Sequence, residues 1–330
     1  MSDAMLVTGA SGFIGSAIVR CLLGAGFSVR ALVRPDSRRD NLSGLDVEIA
    51  VADIRDRGSL DRAVRRCRGV FHAAADYRMW ARHPSEIYVT NVRGSRNVLL
   101  AALRAGVERI VYTSSVATLG LHEDGSPADE ETGADYSDMV GHYKRSKFLA
   151  ERKVRALAEE RGLDLVIVNP AAPVGPRDIK PTPTGRMILD AARGRMPAYV
   201  DSGLDIVHVD DVATGHLLAW QHGAKGRRYI LGGENLSLRE ILTRVARIAG
   251  RTPPRFRVSP GLVLPLAHLA EGWARVSGHE PLLTVAGVEL SRKHMYFSHA
   301  RAGHELGYRP RPAQSALEDA VEWFDRHGYR

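Results

Sequence analysis

The chain predicts an α/β protein: a doubly wound parallel sheet followed by a smaller, mostly helical C-terminal lobe. Three observations carry this. Apolar runs of strand length alternate with helix-period stripes through the first half. A glycine-rich turn, TGASGFIG, joins the first run to the first stripe. Beyond Pro170 the alternation gives way to a Pro/Gly-rich segment and then to helical patterns.

The elements follow in order. Residues 4–8 form a short apolar run, and Ile14, Ala17, Ile18 and Leu22 form a helical stripe that Gly24 and Gly26 end. Strands are predicted at 27–33 and 47–52, a helix around Leu60, Ala63 and Val64, and a fourth strand at 70–74. A long helix covers 85–105, a fifth strand 109–113, and a helix 143–161 closed by Gly162. A sixth strand, 163–168, ends at Asn169-Pro170. The run PAAPVGPRDIKPTPTG is too long for an ordinary connection and is a candidate functional segment. Residues 206–209 with the helix 210–221, then a strand at 228–231, predict a return to the sheet. Helices at 237–249, 262–276 and 315–327 build the lobe. The expected division is 1–170 plus 205–232 for the nucleotide-binding domain, and 171–204 plus 233–330 for the substrate lobe.

Composition narrows the function. With 44% hydrophobic and 25% charged residues, the 330-residue chain is an ordinary globular protein. No continuous apolar run reaches membrane-spanning length, and the start shows no secretory signal. In 262–276, Pro265, Glu271 and Arg275 argue for a packed lobe helix before a membrane anchor. The charge is +8, and the 46 cations are scattered rather than blocked on one helix or tail. That pattern argues against nucleic-acid binding and leaves phosphate-bearing ligands and peripheral contact with an anionic membrane open. Cys21 and Cys67, both inside helical patterns, fit a reducing cytoplasm; no Cys/His cluster has metal spacing.

Gly9, Gly12 and Gly15 follow a strand and open a helix, the context a dinucleotide site requires. Gly9 permits the turn, Gly12 lets backbone approach the pyrophosphate, and Gly15 lets helix pack on strand. The helix N-terminus offers free N–H groups and partial positive charge to the phosphates. An NAD site expects a carboxylate about twenty residues on. Here Arg34 stands nineteen after Gly15, with Arg38 and Arg39 behind it. A guanidinium can bind a 2′-phosphate that a carboxylate would repel, so the expected cofactor is NADP (NADPH), with NAD the lesser reading. Asp53, ending the third strand, is placed to accept from the adenine amino group.

In GHYKRSK, Tyr143 and Lys147 share a helical face, about 5–6 Å apart at Cβ. With ten tyrosines and six lysines, chance would place such a pair about 0.2 times, so the pair is suggestive and its context decides. That context is TGASGFIG, Asp53-Ile54, Ala73-Ala74-Ala75, Asn91-Val92, Thr113-Ser114-Ser115, Asn169-Pro170 and HVDDVA at 208–213. Together these resemble the extended short-chain dehydrogenase/reductases, and within them the dihydroflavonol-4-reductase-like branch. NPAAPVGPRDIKPTPTGR is similar to bacterial hopanoid-associated sugar epimerases.

The resemblance implies a dinucleotide-binding Rossmann fold and roles for individual residues. Tyr143 matches the general acid/base. Lys147 matches the residue that binds the nicotinamide ribose and lowers the tyrosine pKa. Ser115 matches the substrate-oxygen donor, with Ser114 the alternative. Ser11, Phe13 and Ile14 complete the cofactor turn. Ile54 joins Asp53, and Ala73, Ala74 and Ala75 border the adenosine and pyrophosphate. Pro170 and Pro173 line the nicotinamide amide, and Asn91 supports the central helix. Arg34 departs from the acidic residue of epimerases that retain NAD.

The chemistry agrees with those roles. A hydride-reduced carbonyl needs a proton, and a phenol of pKa about 10 needs a cation nearby to exchange one near neutrality. The expected activity is NADPH-dependent reduction of a small-molecule carbonyl, sugar-like or hopanoid-lipid-linked. A sugar epimerase is the alternative, and a non-catalytic dinucleotide sensor the remote one. Asp76, Tyr77, Arg78, Met79 and Trp80 are candidate substrate contacts. Arg177 reads either as an anion holder or as an exposed loop arginine. His208 and Asp210 read as fixing the return strand and a helix N-cap. A homodimer is expected through the 85–105 and 143–161 helices.

Overall fold

The apolar runs pair as parallel strands in the computed structural model, which describes residues 4–277, 281 and 284–329. In chain order the strands are β1 Ala4–Thr8, β2 Val29–Val33, β3 Glu48–Val51, β4 Cys67–His72, β5 Arg109–Thr113, β6 Leu165–Pro170, β7 Ala172–Val174, β8 Ala198–Tyr199, β9 Gly203–His208, β10 Arg228–Leu231, β11 Glu234–Ser237, β12 Phe256–Arg257 and β13 His294–Met295. The helices are α1 Phe13–Gly24, α2 Arg57–Val64, α3 Ser85–Tyr88, α4 Ser95–Ala105, α5 Gly141–Arg161, α6 Pro183–Ala192, α7 Val209–His222, α8 Leu238–Ile248, α9 Pro260–Ser277, α10 Val285–Leu290 and α11 Ala313–Arg326.

The large sheet runs β10-β6-β5-β4-β1-β2-β3. Its middle strands are buried on both faces, as their unbroken apolar runs require. Ala17, Ile18 and Leu22 of α1 pack with Val212, Ala213 and Ala219 of α7 on one face. On the other, Leu60 and Val64 of α2 join Val98, Leu99 and Ala102 of α4 and Val154 and Leu157 of α5. The order reverses between β1 and β4, the point at whose carboxyl ends doubly wound sheets bind their ligands. The sheet and its two helical layers thus form the doubly wound fold read from the sequence.

Four expectations change. Only β10 rejoins the large sheet, beside β6; the strand expected at 206–209 is β9, which belongs to a second sheet with β7, β11 and β13. An apolar run fixes that a strand is buried, not which partner it finds. The lobe therefore carries a small sheet beside its helices. Its core joins Ile188 and Leu189 of α6, Ile241 and Val245 of α8, and Leu317 and Phe324 of α11. Cys67 opens β4 instead of lying in a helix, because the chain turns at Arg66, with φ of 60°. The 85–105 helix is interrupted by a π-helical stretch, Val89–Gly94. Finally, β6 starts at Leu165 instead of 163, and ends at Pro170 as expected. Among the described residues no helix is long and apolar enough to cross a membrane.

Candidate active site

The turn from β1 to α1 is built on missing side chains. Gly9 has φ +68°, and a Cβ there would lie 2.8 Å from the Ala74 backbone. A Cβ on Gly15 would stand 2.0 Å from the Gly9 carbonyl oxygen. The Gly12 N–H donates to that same carbonyl at 2.9 Å. No side chain caps α1 and no acid occupies its first turn, so its N–H groups and dipole suit an anion. Ser11, Phe13 and Ile14 lie half-buried along the turn. Thr8 Oγ1 accepts from Ala74 N at 3.2 Å and meets His72 Nδ1 at 2.7 Å, holding Ala73–Ala75 against the glycines. Burial, and then the Lys147 charge, push His72 down to about 3, so it is neutral. A narrow cradle with free N–H groups fits a dinucleotide pyrophosphate.

Arg34 and Asp53 come together at the ends of β2 and β3, beside the register pair Val33 and Val51. Arg34 is exposed, and its Nε lies 3.8 Å from Asp36. Arg38 is paired with Asp40 at 3.0 Å. Asp53 is gripped by Arg55, with Nη2 donating to Oδ2 at 2.6 Å, which holds the carboxyl below its usual range against opposing burial. Ile54 is buried, and its carbonyl accepts from Asn97 at 3.0 Å.

On α5, Tyr143, Lys147 and Glu151 occupy successive turns of one face. Lys147 Nζ donates to the Thr113 carbonyl at 2.8 Å and lies 5.0 Å from the Tyr112 ring centroid. Burial pushes Lys147 down to about 8, with Glu151 acting in the opposite direction. Burial also raises the Tyr143 phenol, while a hydrogen bond with Ser115 works against it; the phenol is protonated at neutrality. The two serines after β5 part company. Ser115 Oγ accepts from Ala117 N at 3.1 Å beside Tyr143, whereas Ser114 Oγ donates to Glu151 at 2.5 Å, away from it.

Glu151 was not anticipated, although its spacing of four from Lys147 was readable. Buried, it also accepts from Thr118 Oγ1 at 2.9 Å and Asn169 Nδ2 at 3.1 Å, with Arg228 at 3.4 Å. Asn169 in turn donates to the Ser115 carbonyl at 3.0 Å. The carboxylate thus ties β5, β6 and β10 beneath the serine loop. Glu151→Gln turns one acceptor oxygen into a donor facing other donors. It should cost about 1–3 kcal/mol of stability by urea denaturation. An unchanged midpoint would show that the carboxylate does not hold the loop.

Asn91 links the loop after β4 to α5. Its side chain bonds Asp76 N at 2.7 Å, Asp76 O at 2.9 Å and Ser146 Oγ at 2.8 Å, and Ser146 Oγ donates to the Tyr143 carbonyl at 2.7 Å. Arg78 is engaged by Asp76 at 2.6 Å and Glu86 at 3.1 Å; Met79 and Trp80 are half-buried and Tyr77 is exposed. Pro170 ends β6 and Pro173 lies in β7. Arg177 fits neither of its two readings. It is largely buried and paired with Asp210, its own carbonyl accepting from Asn41 at 3.1 Å. His208 accepts from Asp210 N at 3.0 Å, capping α7, and meets Asp319 at 3.0 Å across to α11. Lys144, also unforeseen, points to Met295 of β13 at 3.9 Å, and burial pushes it down to about 8. Its environment comes from the lobe, which no local pattern reveals.

A family model described as "NAD dependent epimerase/dehydratase family" matches residues 5–232. A putative dihydroflavonol 4-reductase of Synechocystis is 46% identical, the match covering 100% of this chain and 96% of that protein. Sterol demethylase protein B of Methylococcus capsulatus is 37% identical, with 98% of each chain covered. The crystal structure of gox2253 superposes with a TM-score of 0.89 at 52% identity, covering 99% of both chains.

Proposed function

The chain belongs to the NAD dependent epimerase/dehydratase family, whose members are nicotinamide-dependent reductases, epimerases and dehydratases, and from that premise we propose that it is an NADPH-dependent carbonyl reductase. The observation that carries the reading is Arg34, exposed at the end of β2 where an NAD-retaining epimerase would carry an acid. A reductase must exchange its cofactor each turnover, and a guanidinium selects the phosphorylated form. The relative named a dihydroflavonol 4-reductase supports the same reaction class.

Gly9, Ser11, Gly12, Phe13, Ile14 and Gly15 would hold the pyrophosphate, Arg34 the 2′-phosphate, and Asp53, Ile54 and Ala73–Ala75 the adenosine side. Lys147 would take the nicotinamide ribose, with Pro170 and Pro173 beside the amide. The bound dinucleotide supplies the hydride. Ser115 Oγ and the Tyr143 hydroxyl then donate to the carbonyl oxygen, and Tyr143 gives its proton as negative charge develops there. The Lys147 ammonium stabilises the phenolate left behind.

The substrate class in this reading is a small molecule, sugar-like or lipid-linked; the relative named sterol demethylase protein B supports the lipid side. The family description keeps a sugar epimerase as the second reading. The homodimer through the 85–105 and 143–161 helices belongs to the same proposal.

Arg34→Asp removes a charge partner and adds a repulsive one. NADP binding should weaken about ten- to a hundredfold, as loss of a charged hydrogen bond implies, while NAD binding changes little. Equal wild-type affinities for the two cofactors by calorimetry would count against the assignment.

A further inference from the structure

Helix α9, expected from sequence to pack into the lobe, has its amphipathy turned outward. Among its described residues the buried ones are the small Ala267 and Ala274, 0 and 1% exposed. Leu262, Leu266, Leu269, Trp273 and Val276 stand between 57 and 80% exposed. Their alternating spacing of four and three puts them on one stripe. Phe256, 67% exposed on β12, precedes the helix and lies between exposed Arg255 and Arg257. Such a continuous apolar face marks an interaction surface.

The stripe sits close to the chemistry. Glu271 of α9 accepts from Val285 N of α10 at 2.8 Å. Ala286 of α10 lies against Gly141, the first residue of α5, where a Cβ would come within 3.0 Å of the Ala286 Cβ. The α9–α10 pair therefore leans on the start of the helix that carries Tyr143 and Lys147.

Charge indicates what covers the face. Arg255, next to Phe256, and His268, on the helix itself, are exposed, while Arg257 shares its charge with Asp201 at 2.6 Å. A second copy related by a two-fold would return the same cationic rim toward itself. An anionic bilayer complements the rim, and a chain of net charge +8 is drawn to it. Leucines with a tryptophan on one face and cations beside it are the composition of a helix lying in the bilayer interface. We propose that the α9 face, together with Phe256, docks this protein on an anionic lipid membrane, with the active-site crevice held near its surface. Docking does not depend on the reductase reading, since none of these residues belongs to the proposed catalytic or cofactor machinery.

The test is flotation of the full-length protein with vesicles of equimolar phosphatidylglycerol and phosphatidylcholine, against pure phosphatidylcholine, at low and high salt. Binding to the anionic vesicles should exceed binding to the neutral ones about tenfold or more, and fall with salt. Leu266→Glu with Leu269→Glu should weaken it about tenfold or more, with the thermal unfolding midpoint unchanged. Arg255→Glu, outside the helix, should weaken binding and flatten its salt dependence. No partition into anionic vesicles at low salt would overturn the proposal. So would a wild-type dimer in light scattering that the double glutamate variant converts to monomer, since a second copy would then cover the face.

Discussion

Tyr143→Phe should lower turnover by about 10²–10⁴ while leaving the fold and cofactor affinity intact. The substitution deletes one hydroxyl from a half-buried side chain and keeps its ring, so packing is retained. What disappears is the hydroxyl beside Ser115 that is proposed to give the proton. Desolvation raises the wild-type phenol, which stays protonated through neutrality, the state that the proposed reduction would consume. Residual activity of the variant should rise as the pH falls, because solvent acid replaces the phenol. Steady-state kinetics on an established substrate checks this; wild-type turnover in the variant would make Tyr143 an ordinary helix residue.

Lys147→Met should damage both binding and chemistry. Methionine approximates the buried lysine stem in volume but cannot donate to the Thr113 carbonyl or carry charge into the site. Cofactor affinity should fall about ten- to a hundredfold, the worth of a charged hydrogen bond. Turnover should fall further still, since no cation remains to stabilise the phenolate. The pH profile separates this from simple loss of packing. Lys147 is charged below about 8 and neutral above it, so wild-type reduction should decline as the pH rises through that value. In Lys147→Met that step should vanish. A variant that keeps the step would assign it to another group.

The legible parts of the molecule were those set by local pattern. The β1 turn announces itself because two of its three glycines, Gly9 and Gly15, occupy places where a Cβ would strike backbone. The Tyr143 and Lys147 pair follows from helical spacing, and Asn91 from the motif it sits in. What escaped depends on distant chain segments. Glu151 becomes a hub only when Ser114, Thr118, Asn169 and Arg228 converge on it from separate strands and loops. Arg177 looked available because its partner, Asp210, lies thirty-three residues on. The second sheet was hidden because β7, β11 and β13 are short, and they and β9 find their partners across the lobe. The outward stripe of α9 was legible as apolar, but only burial shows which way it faces.

Net reduction, with hydride from NADPH and a proton from Tyr143, separates the proposed reductase from an epimerase. The most direct measurement is the ratio of NADPH oxidised to substrate consumed by the wild-type protein, followed together by nicotinamide absorbance and product analysis. One NADPH should be lost for each carbonyl reduced, with NADH a much poorer donor. Interconversion of substrate and product with no net change in nicotinamide absorbance, on cofactor that copurifies, would contradict it and make this protein an epimerase.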